Sequence, residues 1–547
     1  MLFCLISLVG TASAEDISDN EIMSYDDTID ISTENSNLQE ISDLSSASDS
    51  NDISNEISNA DDSADDTSDD VITGSSSKEV LGANKLSASH DFSVSSFEEI
   101  QNLLDSDEVQ EGDTIYLGNI DLTSNWQSWQ QNVINVNKAG LNIIGGSSSN
   151  PNGFSTLNGN GACIFKINAP NVSLSNIKFV NSGHNGEKGS AINIQASDCT
   201  ISSCSFENCK STDGGAIYGS DSASNTILSD CNFTNNNAQY NNGNGGAVYL
   251  LGDATITNCN FNNNIAATSY GAVYIGGSAT VTNSNFTGNK ASINSAGLTI
   301  GDSNSVVDNC IFIDNDATGY QSQGGALELL GENSQVKNSI FKENSANTGG
   351  AIYIDKSGAT IEDCVFEDNS GKWGGAVNIY HDDATLTNCN FTDNTASDQG
   401  GAIYIADDCH NAQMTNCNFA DNSAPTGKAI YADGSADGKA IGCTFGVSPD
   451  LSVDMGYPSM TLTLASDYSN IVVGNIEGVD GGSTVPEVGE EITLDIFDSN
   501  GQRVATVIDT TDENGQITYD YSSLPRGNYT YKAHYLDDKT KEGPITM

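Results

Sequence analysis

The sequence predicts an all-β chain wound as a parallel β-helix. Three observations carry this: a returning phenylalanine, a strand triplet built around it, and asparagines at fixed offsets on either side. Phe179, Phe206, Phe233, Phe261, Phe286, Phe312, Phe341, Phe366, Phe391, Phe419 and Phe445 are separated by 27, 27, 28, 25, 26, 29, 25, 25, 28 and 26 residues. Such self-similarity means one unit repeated, each burying its apolar face against its neighbours. Helical repeats would need runs of helix formers at a 3.6-residue period, which these Asn- and Gly-rich segments lack. A propeller blade needs roughly 40 residues, more than this unit has.

Residues 2–10 are an apolar run broken only by Ser7, and Ala12-Ser13-Ala14 follows with small-x-small cleavage spacing. Residues 1–14 therefore read as a secretory signal, too short for a membrane span. It has no Lys or Arg ahead of the run, which a truncated start would explain. Residues 15–85 are rich in Asp, Glu, Ser and Asn, with no Lys or Arg from Glu15 to Ser77. Hydrophobicity this low does not offset ordering entropy, so the segment reads as disordered, either a solvated tether or a weak cation sponge. Over the full chain 74 Asp and Glu face 19 Lys and Arg, a net charge of −55. That balance argues against nucleic acid as a partner.

The β-helix is expected over 86–447. Ser95-Ser96 caps a short helix over Phe97, Ile100, Leu103 and Leu104, closing the open end of the stack. Gly112 to Leu117 is the first strand, and Ile134, Val136, Leu141, Ile143 and Ile144 lie in the next ones. In the repeat, Cys or Ser stands two positions before Phe: Cys204, Cys231, Cys259, Ser284, Cys310, Ser339, Cys364, Cys389, Cys417 and Cys443. This alternation puts thiol and ring on one face of a strand. A strand such as Ala254–Thr257 precedes it, with a corner at Asn258, Asn283, Asn309, Asn338, Asn388 and Asn416. A second corner is expected three residues past Phe, at Asn236, Asn264, Asn289, Asn315, Asn344, Asn369, Asn394 and Asn422. The third strand follows Gly-Gly-Ala, as in Gly214 to Tyr218 and Gly349 to Tyr353. Three short strands per coil, about eleven coils at roughly 4.8 Å, make a rod of about 50 Å. Right-handed crossovers are the general preference.

From 448 to 547 the period stops and longer strands separated by turn signals appear, among them Glu491 to Phe497 and Tyr529 to Tyr535, with turns at Asn500-Gly501 and Asn514-Gly515. This tail resembles an immunoglobulin-like β-sandwich module. The Gly-Gly-Ala-Ile and Phe-x-x-Asn boxes resemble the polymorphic outer-membrane-protein repeat of bacterial autotransporter adhesins. Together with the acidic N-terminus and the tail module, the chain is most similar to the adhesin-like surface proteins of methanogenic archaea. The resemblance covers roughly 86–547. It implies a right-handed, pectin-lyase-like β-helix displayed outside the cell, at the surface or in the envelope, in a cell-adhesion role.

The cysteine spacing predicts a buried thiol ladder, since equivalent sites stack coil on coil and Ser replaces Cys at two of them; disulfides are the alternative, most plausibly among Cys199, Cys204, Cys209, Cys409 and Cys417. No metal site is expected, as Cys-x-x-Cys spacing does not occur. No cofactor is expected either: acidic surface could attract Ca²⁺, but no coil has the Gly-Gly-x-Gly-x-Asp pattern. The fold hosts polysaccharide lyases and hydrolases as well as passive rods. The only arginines, Arg503 and Arg526, lie in the tail. Glu328, Asp355, Asp382 and Asp383, with His184 and His381, are the carboxylates and imidazoles on offer, and they form no recurring set. No catalytic residue is therefore assigned, and the chain is not expected to be an enzyme. Two surface features remain. Tyr218, Tyr249, Tyr274, Tyr353, Tyr404 and Tyr431 share the outward position of one strand, either as stacking between coils or as an aromatic platform for glycan. Asn171, Asn232, Asn285, Asn390 and Asn528 begin glycosylation sequons. The function expected is a secreted adhesin-like protein that binds glycan or a protein on a neighbouring or host cell through an extended face. A polysaccharide lyase or glycoside hydrolase is the alternative.

Overall fold

In a computed structural model the repeat forms a right-handed parallel β-helix with almost no helix. The structure describes residues 89–445 except 93, 127–131, 151, 184–185, 241, 408, 435, 437 and 442. Of 459–546 it describes all but 465–470, 481–482, 487–490, 513–515, 521–523, 526–527 and 536–538. The expected leader (1–14), the acidic segment (15–85), His184, Arg526 and the boundary at 447/448 lie outside the described residues.

Three parallel sheets of 14, 12 and 13 strands run the length of the stack. Each coil passes from a strand such as Ala254–Thr257 through a corner into Asn260–Asn262, then on to a strand such as Val273–Ile275. The phenylalanines pair with one another in register from Phe179 to Phe445. From Phe179 to Phe419 the rings stack with centroids 4.6–5.0 Å apart, nearly parallel. Stacking of this kind adds about 0.5–1.5 kcal/mol per pair beyond burial.

The first corner is where the sequence places it. Asn258, Asn283, Asn309, Asn338, Asn388 and Asn416 have φ of 49–55°, a left-handed conformation that Asn tolerates. The second corner differs by one residue. The left-handed position falls two residues past Phe, at Asn235, Asn263, Asp314, Glu343, Asp368, Asp393 and Asp421. The asparagine three residues past Phe turns inward instead. Asn344 is fully buried; its Nδ2 donates to Phe312 O and Asn369 Oδ1, and its Oδ1 accepts from Asn315 N. Repeated from Asn236 to Asn422, these bonds form a continuous amide ladder. A fourth, two-residue strand such as Asp316–Ala317 follows in several coils, too short to show in the pattern.

The Gly-Gly-Ala box has a steric cause. A Cβ on Gly375 would lie 2.0 Å from Gly401 O, so only glycine lets successive coils approach there. The twelve described cysteines are free, and eleven are buried. Cys231 Sγ points at Ile201 O (3.5 Å) and Cys389 Sγ at Ile361 O (3.7 Å), each on the preceding coil. Where Ser replaces Cys, its hydroxyl accepts from the coil before: Cys259 N donates to Ser284 Oγ at 3.1 Å. Burial pushes the Cys310 thiol up to about 12, so these are inert, apolar fillers.

The capping helix spans Phe97–Asp105, with Ser96 Oγ accepting from Glu99 N. A strand the sequence analysis did not anticipate, Ser89–Asp91, precedes it. The tail holds two four-stranded antiparallel sheets, with Ile492, Leu494, Ile496, Ile517, Tyr529 and Ala533 forming a small separate core. No helix among the described residues is long and apolar enough to cross a membrane.

Candidate functional site

The outward position of the sheet following the Gly-Gly-Ala box forms one column. In register it reads Asn193, Tyr218, Tyr249, Tyr274, Thr299, Glu328, Tyr353, Asn378, Tyr404 and Tyr431. All six tyrosines singled out in the sequence stand in it. Ring centroids are 6.0 Å apart for Tyr218–Tyr249, 4.7 Å for Tyr249–Tyr274 and 5.8 Å for Tyr404–Tyr431. The column is less exposed than its outward parity predicts. Tyr218 and Tyr353 are buried, and the other four are half-buried. Part of the cover comes from the segment between the amide ladder and the Gly-Gly-Ala box, as where Lys188 lies over the Tyr218 ring, whereas Tyr353 has Tyr380 beside it. Tyr270 belongs to that segment and stacks on Tyr274 at 4.4 Å. It stands where other coils have the first glycine, with φ of 65°, so the column pattern did not reveal it.

Glu328 interrupts the tyrosines and is only 1% exposed. Its Oε1 accepts from Asn294 Nδ2 at 2.6 Å and its Oε2 from Thr299 Oγ1 at 3.0 Å; Asn294 in turn accepts from Ser269 Oγ at 2.9 Å. Burial pushes its carboxyl up to about 7. An acid poised there has the right pKa for proton transfer, but its burial keeps it from a substrate oxygen. Asp355 is held by Lys356 and receives the Tyr353 hydroxyl. Asp382 accepts from His410 N, Asp383 from Asn411 Nδ2, and His381 lies edge-on to Tyr380. Each of these is engaged in its own corner. No group of three or more His, Cys, Asp or Glu among the described residues is placed to hold a metal ion.

Tyr404 donates to Asp433 Oδ2 at 2.6 Å, and burial together with that carboxylate pushes its phenol up. Among the sequon asparagines, Asn171, Asn232 and Asn528 are exposed. Asn285 Nδ2 is spent on Asn260 Oδ1 at 2.9 Å, whereas Asn390 is contacted through its Oδ1, by Asn418 and Thr392.

Beside the column lies a feature the sequence analysis missed. Nine residues, 318–326, separate Ala317 from Leu327, where six, 292–297, do the same work one coil earlier. The 29-residue step from Phe312 to Phe341 was its signal. The longer loop carries Tyr320, 79% exposed.

A family model for a right-handed beta helix region matches residues 229–391 and 350–478. No curated protein matches the chain. Among solved structures, it is similar to a PL6 alginate lyase in complex with trisaccharide (11% identity, 74% of this chain and 92% of that one, TM-score 0.38). A tailspike protein mutant of E. coli bacteriophage HK620 in complex with pentasaccharide follows (12% identity, 83% and 88%, TM-score 0.36). Another is tailspike gp49 of Acinetobacter baumannii bacteriophage Fri1, a capsular polysaccharide depolymerase (13% identity, 84% and 78%, TM-score 0.25). Likeness at this level assigns no substrate or reaction to this chain.

Proposed function

We propose that the protein is a secreted, cell-surface adhesin-like β-helix that holds glycan, or the surface of a partner cell, along its tyrosine-bearing face without turning it over. The observation that carries this is the single column of in-register tyrosines, four of them half-buried with part of each ring open to solvent. Aromatic rings on consecutive coils, as at Tyr249–Tyr274 and Tyr404–Tyr431, suit a repeating ligand, because each coil of the pair offers the same contact to the next sugar. Binding without catalysis is supported by the burial of Glu328 and by the engagement of Asp355, Asp382 and Asp383 in local bonds. The apolar run at 2–10 and the acidic segment at 15–85 support export and display. For the tail we keep the immunoglobulin-like reading, in a spacer role. Tyr529 donates its hydroxyl to Pro525 O at 2.6 Å, four residues upstream, a bond of the kind that marks the corner of such sandwiches.

A glycan array beside zymography on a panel of polysaccharides tests the proposal. Retention without release of reducing ends is the expected result, and replacing Tyr404 and Tyr431 together by Ser should abolish it. Turnover of any polysaccharide would replace the adhesive reading with the lyase or hydrolase one.

A further inference from the structure

The loop at 318–326 and the shorter loops of the following coils line an open depression of about 370 Å³. Tyr320 forms the rim, and the floor comes from the next coils: Ser345, Asn347, Ser370 and Lys372. These coils are tied together, Asn347 N donating to Ser322 Oγ at 2.8 Å and Lys372 N to Asn347 O at 2.9 Å, so the floor is rigid. Single exposed aromatics are ordinary on protein surfaces. Here, though, the ring borders an open depression furnished with polar side chains that have little else to do. The Asn347 amide makes one long contact, 3.5 Å to Thr348 Oγ1. The Lys372 ammonium rests 3.9 Å from the centre of the Trp373 ring, with no carboxylate at ion-pair distance among the described residues. Asp316 is steadied by Ser345 Oγ at 2.6 Å and faces the same space.

We propose that this step is a subsite for a neutral saccharide. Tyr320 takes the apolar face of a sugar ring, and Asn347, Lys372 and Asp316 take its hydroxyls. Its volume lies in the range of small-ligand sites, and an open, polar surface with one aromatic ring and a few donors and acceptors suits a sugar, whose own surface is mostly hydroxyl. The neutral class follows from charge. The chain carries −55, which opposes the approach of a polyuronate, and within the pocket Asp316 offsets Lys372, leaving no net charge for an ionised sugar. The subsite deepens the glycan-binding reading and rests on it, but it is separate from the tyrosine column, and each can fail without the other.

The full chain is titrated calorimetrically with cellohexaose, maltohexaose, mannohexaose and xylohexaose, and with hexagalacturonate as the charged probe. Tyr320→Ala, Asn347→Ala and Tyr404→Ser are run alongside, with Tyr240→Ala, on the corresponding loop three coils earlier and outside the depression, as the control. All are checked for fold by circular dichroism. At least one neutral sugar is expected to bind; Tyr320→Ala weakens it tenfold or more, Asn347→Ala several-fold, and Tyr240→Ala not at all. If Tyr404→Ser abolishes binding while Tyr320→Ala leaves it intact, the step is overturned and the column stands. Preference for hexagalacturonate overturns the neutral class. No heat with any sugar overturns the subsite and removes its support from the glycan reading as well.

Discussion

Glu328 puts a carboxyl where the column otherwise carries tyrosine, and its protonation is set by surroundings rather than by partners of opposite charge. Tyr270 and Tyr274 lie close enough for its charge to raise their phenols, and Asp355 on the next coil pushes Glu328 the same way. Asn294 and Thr299 donate to it and pull the other way, yet burial prevails and holds the group near 7. Below its ordinary value of 4.5 both the folded and the unfolded chain bind this proton. Between 4.5 and about 7 only the folded chain keeps it, so the contribution to stability falls as pH rises through that window and stays low above it. At about 1.4 kcal/mol per pKa unit the loss reaches about 3 kcal/mol. Glu328→Gln keeps the shape without the charge, and the Thr299 hydroxyl can turn to accept from the new amide. The variant should match the parent near pH 4.5 and exceed its stability by up to that amount at pH 8. Denaturant midpoints at the two pH values measure this, and an equal difference at both would mean that Glu328 is ionised throughout.

The corner at the level of the strand shows which parts of the fold could be read in the residues and which could not. Phe312, Cys310 and Asn309 recur because their positions are fixed by sterics: a ring stacked on the ring above, a small filler, a left-handed turn. The offset of Asn315 recurs equally well, yet its role was misplaced by one residue. Period alone does not tell a turn residue from a buried one beside it, and the position of Asp314, which carries the turn, varies among Asn, Gly, Asp and Glu along the stack. Glu328 and Tyr320 were beyond the pattern for the opposite reason. Each occurs once, and a repeat argument sees only what returns. The two kinds of asparagine separate cleanly by mutation within one coil. Asn344→Ala strands Asn315 N in a dry interior and takes a second donor from Phe312 O, and should cost about 2–4 kcal/mol. Asn338→Ala removes a residue tolerant of φ 49° and an exposed bond from its Nδ2 to Asp308 Oδ1 at 2.8 Å, and should cost about 1–2 kcal/mol. Urea denaturation of both variants gives the comparison, and equal losses would contradict the buried ladder.

At the scale of the whole rod, charge is the term that stacking makes worse. Residues equivalent in successive coils sit one coil rise apart, about 4.8 Å. Asp314, Glu343, Asp368, Asp393 and Asp421 thus bring five carboxylates into one row at the second corner. Few cations offset them: Lys342 lies 3.9 Å from Glu343 of the row but closer, at 2.9 Å, to Glu367, at the surface, where such pairs contribute little. Neighbours in the row lie well inside a Debye length of about 10 Å at 0.1 M salt, so added salt weakens their repulsion. Because every coil leans on the next, relief along the row is felt by the cooperative unit as a whole. Raising NaCl from roughly 20 to 300 mM should therefore lift the melting temperature by about one to three degrees, the scale expected in so large a cooperative unit for a gain of about one or two kcal/mol. Calorimetric scans across the salt series measure it, with CaCl₂ added at matched ionic strength as a second arm. Equal effects of the two salts would mean screening by diffuse ions. A melting temperature that falls with NaCl would mean that the sparse lysine pairs, not the carboxylate rows, dominate the surface energetics of the rod.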